Sequence, residues 1–221
     1  MIAADLLSDG LVPLRTSDTG EEALNIMSEF YVRHLPVVNN TQLLALVSED
    51  DILEYDVHEA VGSYDVSLRF PPVHENDHLY EVMRRMGQYN LTVIPVVDAN
   101  QDYLGMITIE DLLNYFAQIG SFTEPGSIIV LEMSRRDYSL AEISRIVESE
   151  NAAILSSFVT SSLDEATVMI DVTLKINRQN IQSVLATFGR FSYTVKATFN
   201  EREMYDTLKE RYDSLMSYLN V

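Results

Sequence analysis

Apolar positions along residues 12–55 recur first at helical spacing and then as two short runs, and the same succession returns at residues 71–115. Ala23, Leu24, Met27 and Phe30 mark one helix face; Leu79, Val82, Met83 and Met86 mark its counterpart. Each helix leads into an apolar strand, Leu35-Pro36-Val37-Val38 or Ile94-Pro95-Val96-Val97. A tight polar turn follows, then a second strand, Leu43 to Val47 or Tyr103 to Ile107. A last helix opens at once, as Glu49-Asp50-Asp51-Ile52-Leu53 or Ile109-Glu110-Asp111-Leu112-Leu113. The order is helix, strand, strand, helix, twice. Pro36 and Pro95 are 59 positions apart, while Ser48 and Thr108 are 60 apart, as are Asp51 and Asp111. One extra residue in the turn from Asp98 to Asp102 accounts for the difference. A register this regular marks an internal repeat. Asp18, with Glu21 three residues on, fits a capping box at the first helix. Neither copy buries enough surface alone, so the two are expected to pack together.

Beyond residue 127 the pattern changes. Ile128 to Met133 reads as a buried strand, and Leu140, Ile143, Ile146 and Val147 as a helix face. Ala153 to Thr160 forms a second strand, and Val168, Ile170, Val172, Leu174 and Ile176 alternate as a third. Ile181, Val184, Leu185 and Phe188 mark another helix, with Gly189 placed to end it. Phe191, Tyr193, Val195, Ala197 and Phe199 alternate as a last strand. The order βαββαβ predicts a ferredoxin-like sandwich with one sheet face covered and the other open or paired with a second copy. Ile119 to Ser127, punctuated by Pro125-Gly126, reads as a linker. Glu201 to Leu219 reads as a final helix. Its stripe of Tyr205, Leu208, Tyr212, Leu215 and Leu219 could be a dimer seam or could pack on its own chain.

Charge narrows the functions. The 221 residues carry a formal net charge of −19. Residues 1–122 hold 20 acids against Arg15, Arg33, Arg69, Arg84 and Arg85, with no Lys. Such a surface does not suit nucleic acid or an anionic membrane, both of which call for clustered cations. Cysteine is absent, which excludes disulfides, thiolate nucleophiles and Cys-ligated metals. No apolar run approaches the roughly 18 residues of a membrane span. The start, Met1-Ile2-Ala3-Ala4-Asp5, has no basic residue before Arg15 and is not read as a secretory signal, so a cytoplasmic location is expected.

The informative chemistry lies where each second strand meets its last helix. Ser48 with Asp51, and Thr108 with Asp111, place a hydroxyl at a helix start and a carboxylate three positions on. A helix N-terminus favours phosphate, and a carboxylate can accept two hydrogen bonds from a ribose diol. The same spacing is also ordinary helix capping. His74 and His78, four apart, are solvated or capping residues on this reading and no metal site is expected. No nucleophile triad and no Gly-rich phosphate loop stands out, so an enzyme is not expected.

With its paired apolar-Pro-Val-Val strands and paired Ser48…Asp51 and Thr108…Asp111, residues 1–120 resemble tandem CBS domains, the Bateman module. The resemblance implies a pseudo-two-fold pair of clefts for AMP, ATP or another adenosyl regulator, with no resident cofactor. It implies that Ser48 and Thr108 meet phosphate and Asp51 and Asp111 meet ribose. It further implies base-lining segments: Arg33, His34, Leu35, Leu11 and Val12 in copy one, and Thr92, Val93, Ile94, Phe70 and Pro71 in copy two. Ala45 stands where the family usually has the glycine that copy two keeps as Gly105, so the Thr108–Asp111 cleft is expected to be the stronger. The second half resembles an ACT domain, with Asp137 and Leu140 at its first loop and Asn151 near its second strand; Tyr138-Ser139 replaces the usual Pro-Gly. The layout is similar to acetoin-utilisation B-type proteins.

The expected fold class is therefore α/β (α+β). It comprises a first CBS domain at 1–60, a second at 61–122, an ACT-like domain at 127–200 and a C-terminal helix at 201–221. The expected function is ligand sensing, coupled to the ACT-like domain or a partner enzyme, in a homodimer. The alternative is a ligandless interaction module.

Overall fold

The computed structural model describes residues 1–65, 67, 70–161 and 169–200. The predicted final helix and its Tyr205–Leu219 stripe, together with Arg69 and residues 162–168, which include Val168 of the predicted third strand, lie outside the described residues. The chain divides into two compact units, Met1–Phe116 and Ala117–Val221.

In the first unit each copy builds a three-stranded sheet. Copy one has β1 (Leu14–Arg15), α1 (Gly20–Glu29), β2 (His34–Asn39), β3 (Gln42–Ser48) and α2 (Glu49–Leu53). Copy two has β4 (Val73–His74), α3 (Leu79–Tyr89), β5 (Val93–Val97), β6 (Tyr103–Thr108) and α4 (Ile109–Ile119). The sheet orders are β1-β2-β3 and β4-β5-β6. The two-residue strands β1 and β4 pair in parallel with β2 and β5, and they are too short to show a period in sequence. Both hairpins are antiparallel and shift register at matching places, between Val37 and Val38 and between Val96 and Val97. The repeat thus extends to its irregularities.

The cap of α1 falls one residue later than expected. Thr19 accepts from the Glu22 N–H, and the Glu22 carboxylate accepts from the Thr19 N–H at 2.8 Å. Asp18 instead accepts from the Arg15 N–H at 2.7 Å and closes the preceding turn. Its counterpart Asp77 does the same for His74 at 2.9 Å, and His78 caps α3 by accepting from the Tyr80 N–H.

The two cores of this unit exchange residues. Copy one's core of Leu14, Met27, Leu35, Val37 and Ile52 takes in Val93 and Met106 from copy two. Copy two's core of Val73, Leu79, Val82, Ile94 and Ile107 takes in Leu46 from copy one, and Ala3 and Leu6 from the chain start. Leu46 and Met106 are 3% and 1% exposed and occupy matching positions. Hydrogen bonds fix the exchange. Ala3 N–H donates to Asp77 O, and Ser8 N–H to Met106 O, both at 2.8 Å. Val61 N–H donates back to Asp18 O at 2.8 Å. The segment before each copy therefore serves the other copy.

The second unit contains β7 (Ser127–Ser134), α5 (Leu140–Ser149), β8 (Ile154–Ser161), β9 (Met169–Ile176), α6 (Gln182–Arg190) and β10 (Thr194–Asn200). The sheet order is β10-β7-β9-β8, antiparallel throughout, which is the ferredoxin-like arrangement. Ile143, Ile146 and Val147 of α5 and Val184 and Phe188 of α6 pack on Ile129, Leu131, Ile170, Val172, Leu174 and Ile176. On the opposite face Lys196 bridges Asp171 (2.7 Å) and Glu132 (3.3 Å), and Phe158 stacks on Phe122. Gly189 lies inside α6 rather than beyond it; the left-handed residue that follows is Ser192, at φ 62°. Asn151, at φ 54°, plays the same part after α5. The fold is mixed α/β: a tandem repeat followed by a further α+β unit.

Candidate ligand cleft

At the end of β6, Thr108 leaves the sheet and α4 begins. The Thr108 hydroxyl donates to Asp111 Oδ2 at 2.6 Å and accepts from the Asp111 N–H at 3.0 Å. The Thr108 N–H donates to the same Oδ2 at 3.3 Å. Ser48 and Asp51 repeat the arrangement, with hydroxyl to carboxylate at 2.7 Å and carboxyl-side N–H to hydroxyl at 3.1 Å. Both pairs are complete capping boxes. The bond that ties each helix start back to its own copy also repeats: Ile109 N–H donates to Thr92 O at 2.9 Å, and Glu49 N–H to Arg33 O at 3.0 Å.

Thr108, Ile109, Glu110 and Asp111 form one wall of a cavity of about 360 Å³. The facing walls are Leu7 to Leu11 and Phe30 to Val32, both from the copy-one side of the chain. Tyr31 is held at φ 53° and is 89% exposed at the rim, with Phe30 beside it. Gly10 brings the backbone close to the Phe30 ring. Asn90 takes φ 52° at the matching position after α3. The cleft offers an aromatic edge, the exposed backbone of the Asp9-Gly10 bend, and a carboxylate whose Oδ2 is engaged by Thr108. Such a set can stack a planar base and accept from a diol.

Leu11 joins Thr108 and Asp111 in this cleft, rather than the Ser48 motif of its own copy. Val12 turns away and lines a separate groove of about 770 Å³ with Arg15, Asp18 and Asn40. Leu35, Val93 and Ile94 are fully buried, so their side chains belong to the cores and cannot line a cleft. Phe70 packs on Tyr89 with centroids 5.0 Å apart, and Pro71 is exposed. Arg33 reaches Glu49 (3.5 Å) and Asp50 (3.4 Å), at the copy-one helix start. Thr92 Oγ1 takes the Arg33 N–H at 2.8 Å and meets His34 Nδ1 at 3.0 Å, so Arg33, His34 and Thr92 form the seam between copies. Burial there, and next the Arg33 charge, push the His34 pKa below its ordinary value, while Asp51 and Asp50 pull the other way.

Gly105 acts differently from its expected role. A Cβ there would meet Leu7 Cδ2 at 3.0 Å, and the backbone sits at φ +159°. The space is filled by Leu7, itself a cleft residue, so Gly105 seats the wall rather than leaving room for a ligand.

Sequence spacing missed Leu7, Ser8, Asp9, Phe30 and Tyr31; their one signal is an apolar start, Ala3 and Leu6, with no partner in its own copy. In the second unit Asp137, Glu142, Phe191 and Tyr193 line a cavity of about 540 Å³, while Leu140 is not among its lining residues. No group of three or more metal-ligating side chains occurs among the described residues, and no described helix is long and apolar enough to cross a membrane.

The family model described as CBS domain matches residues 3–58 and 61–118. A homoserine O-acetyltransferase of Methanococcoides burtonii is 29% identical over 115 residues, covering 49% of this chain and 23% of that protein. The chain thus spans about a quarter of that relative's length. A CBS domain pair/ACT domain protein from Thermotoga maritima is 22% identical with a TM-score of 0.47, covering 53% of this chain and 98% of that one. CBSX2, solved in complex with AMP, is 23% identical with a TM-score of 0.46, covering 53% and 97%.

Proposed function

This chain belongs to the CBS domain family through residues 3–58 and 61–118, and on that premise we propose that it is a regulatory protein that senses an adenosine-type ligand rather than an enzyme. The observation that carries this reading is the cleft that joins Thr108 and Asp111 of copy two to Leu7–Leu11 and Phe30–Val32 of copy one. A ligand bridging two copies whose cores are exchanged binds their joint arrangement, which is what a sensor requires. Ser48 and Asp51 supply a second, weaker position on the same reading. The α+β unit resembles an ACT domain, and the layout resembles acetoin-utilisation B-type proteins. The sensed state passes to that unit or to a partner enzyme, within a cytoplasmic homodimer.

Calorimetry of the full chain with AMP, ATP, adenosine and S-adenosylmethionine tests the reading. At least one is expected to bind and to change amide exchange in residues 127–161 or 169–200. Silence from all four overturns it. One observation favours the alternative of a ligandless interaction module: both hydroxyl–carboxylate pairs are already complete capping boxes without any ligand.

A further inference from the structure

The cleft's charge and its available donors narrow the ligand class, resting on the reading above. Asp9, Glu110 and Asp111 line it, and among its described lining residues none is basic. The described arginines of this unit are placed elsewhere. Arg33 pairs with Glu49 and Asp50, Arg84 with Glu81, and Arg85 with Glu81 and Asp77. Arg15 lines the other groove, and Arg69 lies outside the described residues.

A phosphate could instead be held by the helix N-terminus, but those donors are largely spent. Ile109 N–H goes to Thr92 O, Asp111 N–H to the Thr108 hydroxyl, and the Thr108 hydroxyl proton to Asp111. A phosphate would have to break the capping box while facing three carboxylates. The cavity's 360 Å³ is near the lower limit of ligand pockets, about 300 Å³, which suits a nucleoside better than a triphosphate.

We infer that the Thr108–Asp111 cleft selects a phosphate-free adenosyl ligand whose 5′ substituent is neutral or cationic, such as a thioether, an amine or a sulfonium. The ribose diol donates to Asp111, and the 5′ substituent extends toward Asp9 and Glu110. The carboxylates then favour a cation and repel a phosphate.

The test is competition calorimetry on the full chain at low salt with adenosine, S-adenosylmethionine, AMP and ATP, repeated with the Asp9→Asn/Glu110→Gln double variant. Both positions are exposed, so the fold should tolerate the change. Adenosine and S-adenosylmethionine are expected to bind at least about tenfold tighter than AMP, with ATP weakest. The double variant is expected to reduce the preference of S-adenosylmethionine over AMP by about tenfold, and added salt to reduce it likewise. AMP or ATP binding as tightly as adenosine, in a manner lost with Asp111→Ala, overturns this inference while leaving the sensor reading in place. Silence from all four overturns both. Nucleotide binding lost with Asp51→Ala but kept in Asp111→Ala belongs to the other cleft, and it supports the inference if the phosphate-free ligands still require Asp111.

Discussion

Met106→Ala should damage copy one as well as the copy that contains it. Met106 is 1% exposed and packs among Leu14, Leu35, Val37 and Val47 rather than in the core of its own sheet. Truncating a buried Met to Ala costs about 2–5 kcal/mol, because the lost transfer free energy is joined by a cavity that only partly collapses. For a unit ending at Phe116, a loss of about 3 kcal/mol lowers the melting midpoint by roughly 12 °C. Native-state amide exchange read by mass spectrometry locates the damage. Amides of β1–β3 should lose protection together with those of β4–β6, because neither core is complete without the other copy. Leu46→Ala should act reciprocally through Val73, Leu79 and Ile107. Both variants should also weaken ligand binding, since the cleft walls come from both copies. If Met106→Ala lowers protection only in β4–β6 and leaves β1–β3 at wild-type values, the exchanged-core account is wrong.

Gly105→Ala should destabilise by about 1–3 kcal/mol, since a Cβ at φ +159° meets Leu7; urea melts of a cycle with Leu7→Ala should show part of the loss restored. His34 supplies a pH response. Its folded pKa lies below the ordinary 6.5, so the unfolded chain takes up the proton first; stability is full above 6.5 and declines as pH falls through the folded pKa. Melts across this range should therefore be steeper in pH for the wild type than for His34→Gln, and equal slopes would count against the buried seam.

The repeat was legible because Pro36 and Pro95, and Ser48 and Thr108, hold one register, and the fold keeps that register down to the shifts beside Val37 and Val96. The βαββαβ order was legible because Ile170, Val172, Leu174 and Ile176 alternate against a covered face. Spacing could not choose between Asp18–Glu21 and Thr19–Glu22 as the capping pair, since both satisfy the same pattern and only the turn at Arg15 claims Asp18. Nor could it show that Leu11 serves Thr108 instead of Ser48. Periodicity reports which side of an element is apolar, not which copy covers it. The cleft depends on the chain start crossing to copy two, where Ala3 and Leu6 find their core. Leu35, Val93 and Ile94 are matched by motif position, but zero exposure assigns their side chains to packing.

The central claim is that Asp111 receives a ribose in a cleft shared by both copies. The most direct measurement is adenosine affinity by calorimetry for the wild type, Asp111→Ala and Asp51→Ala. Both substitutions remove an equivalent capping carboxylate, so each should cost a similar ~1 kcal/mol of stability. Asp111→Ala should in addition weaken adenosine binding by about a hundredfold or more, through loss of charge-assisted hydrogen bonds. Asp51→Ala should leave the tighter site within about twofold of wild type. Adenosine bound by Asp111→Ala as tightly as by the wild type would contradict the account.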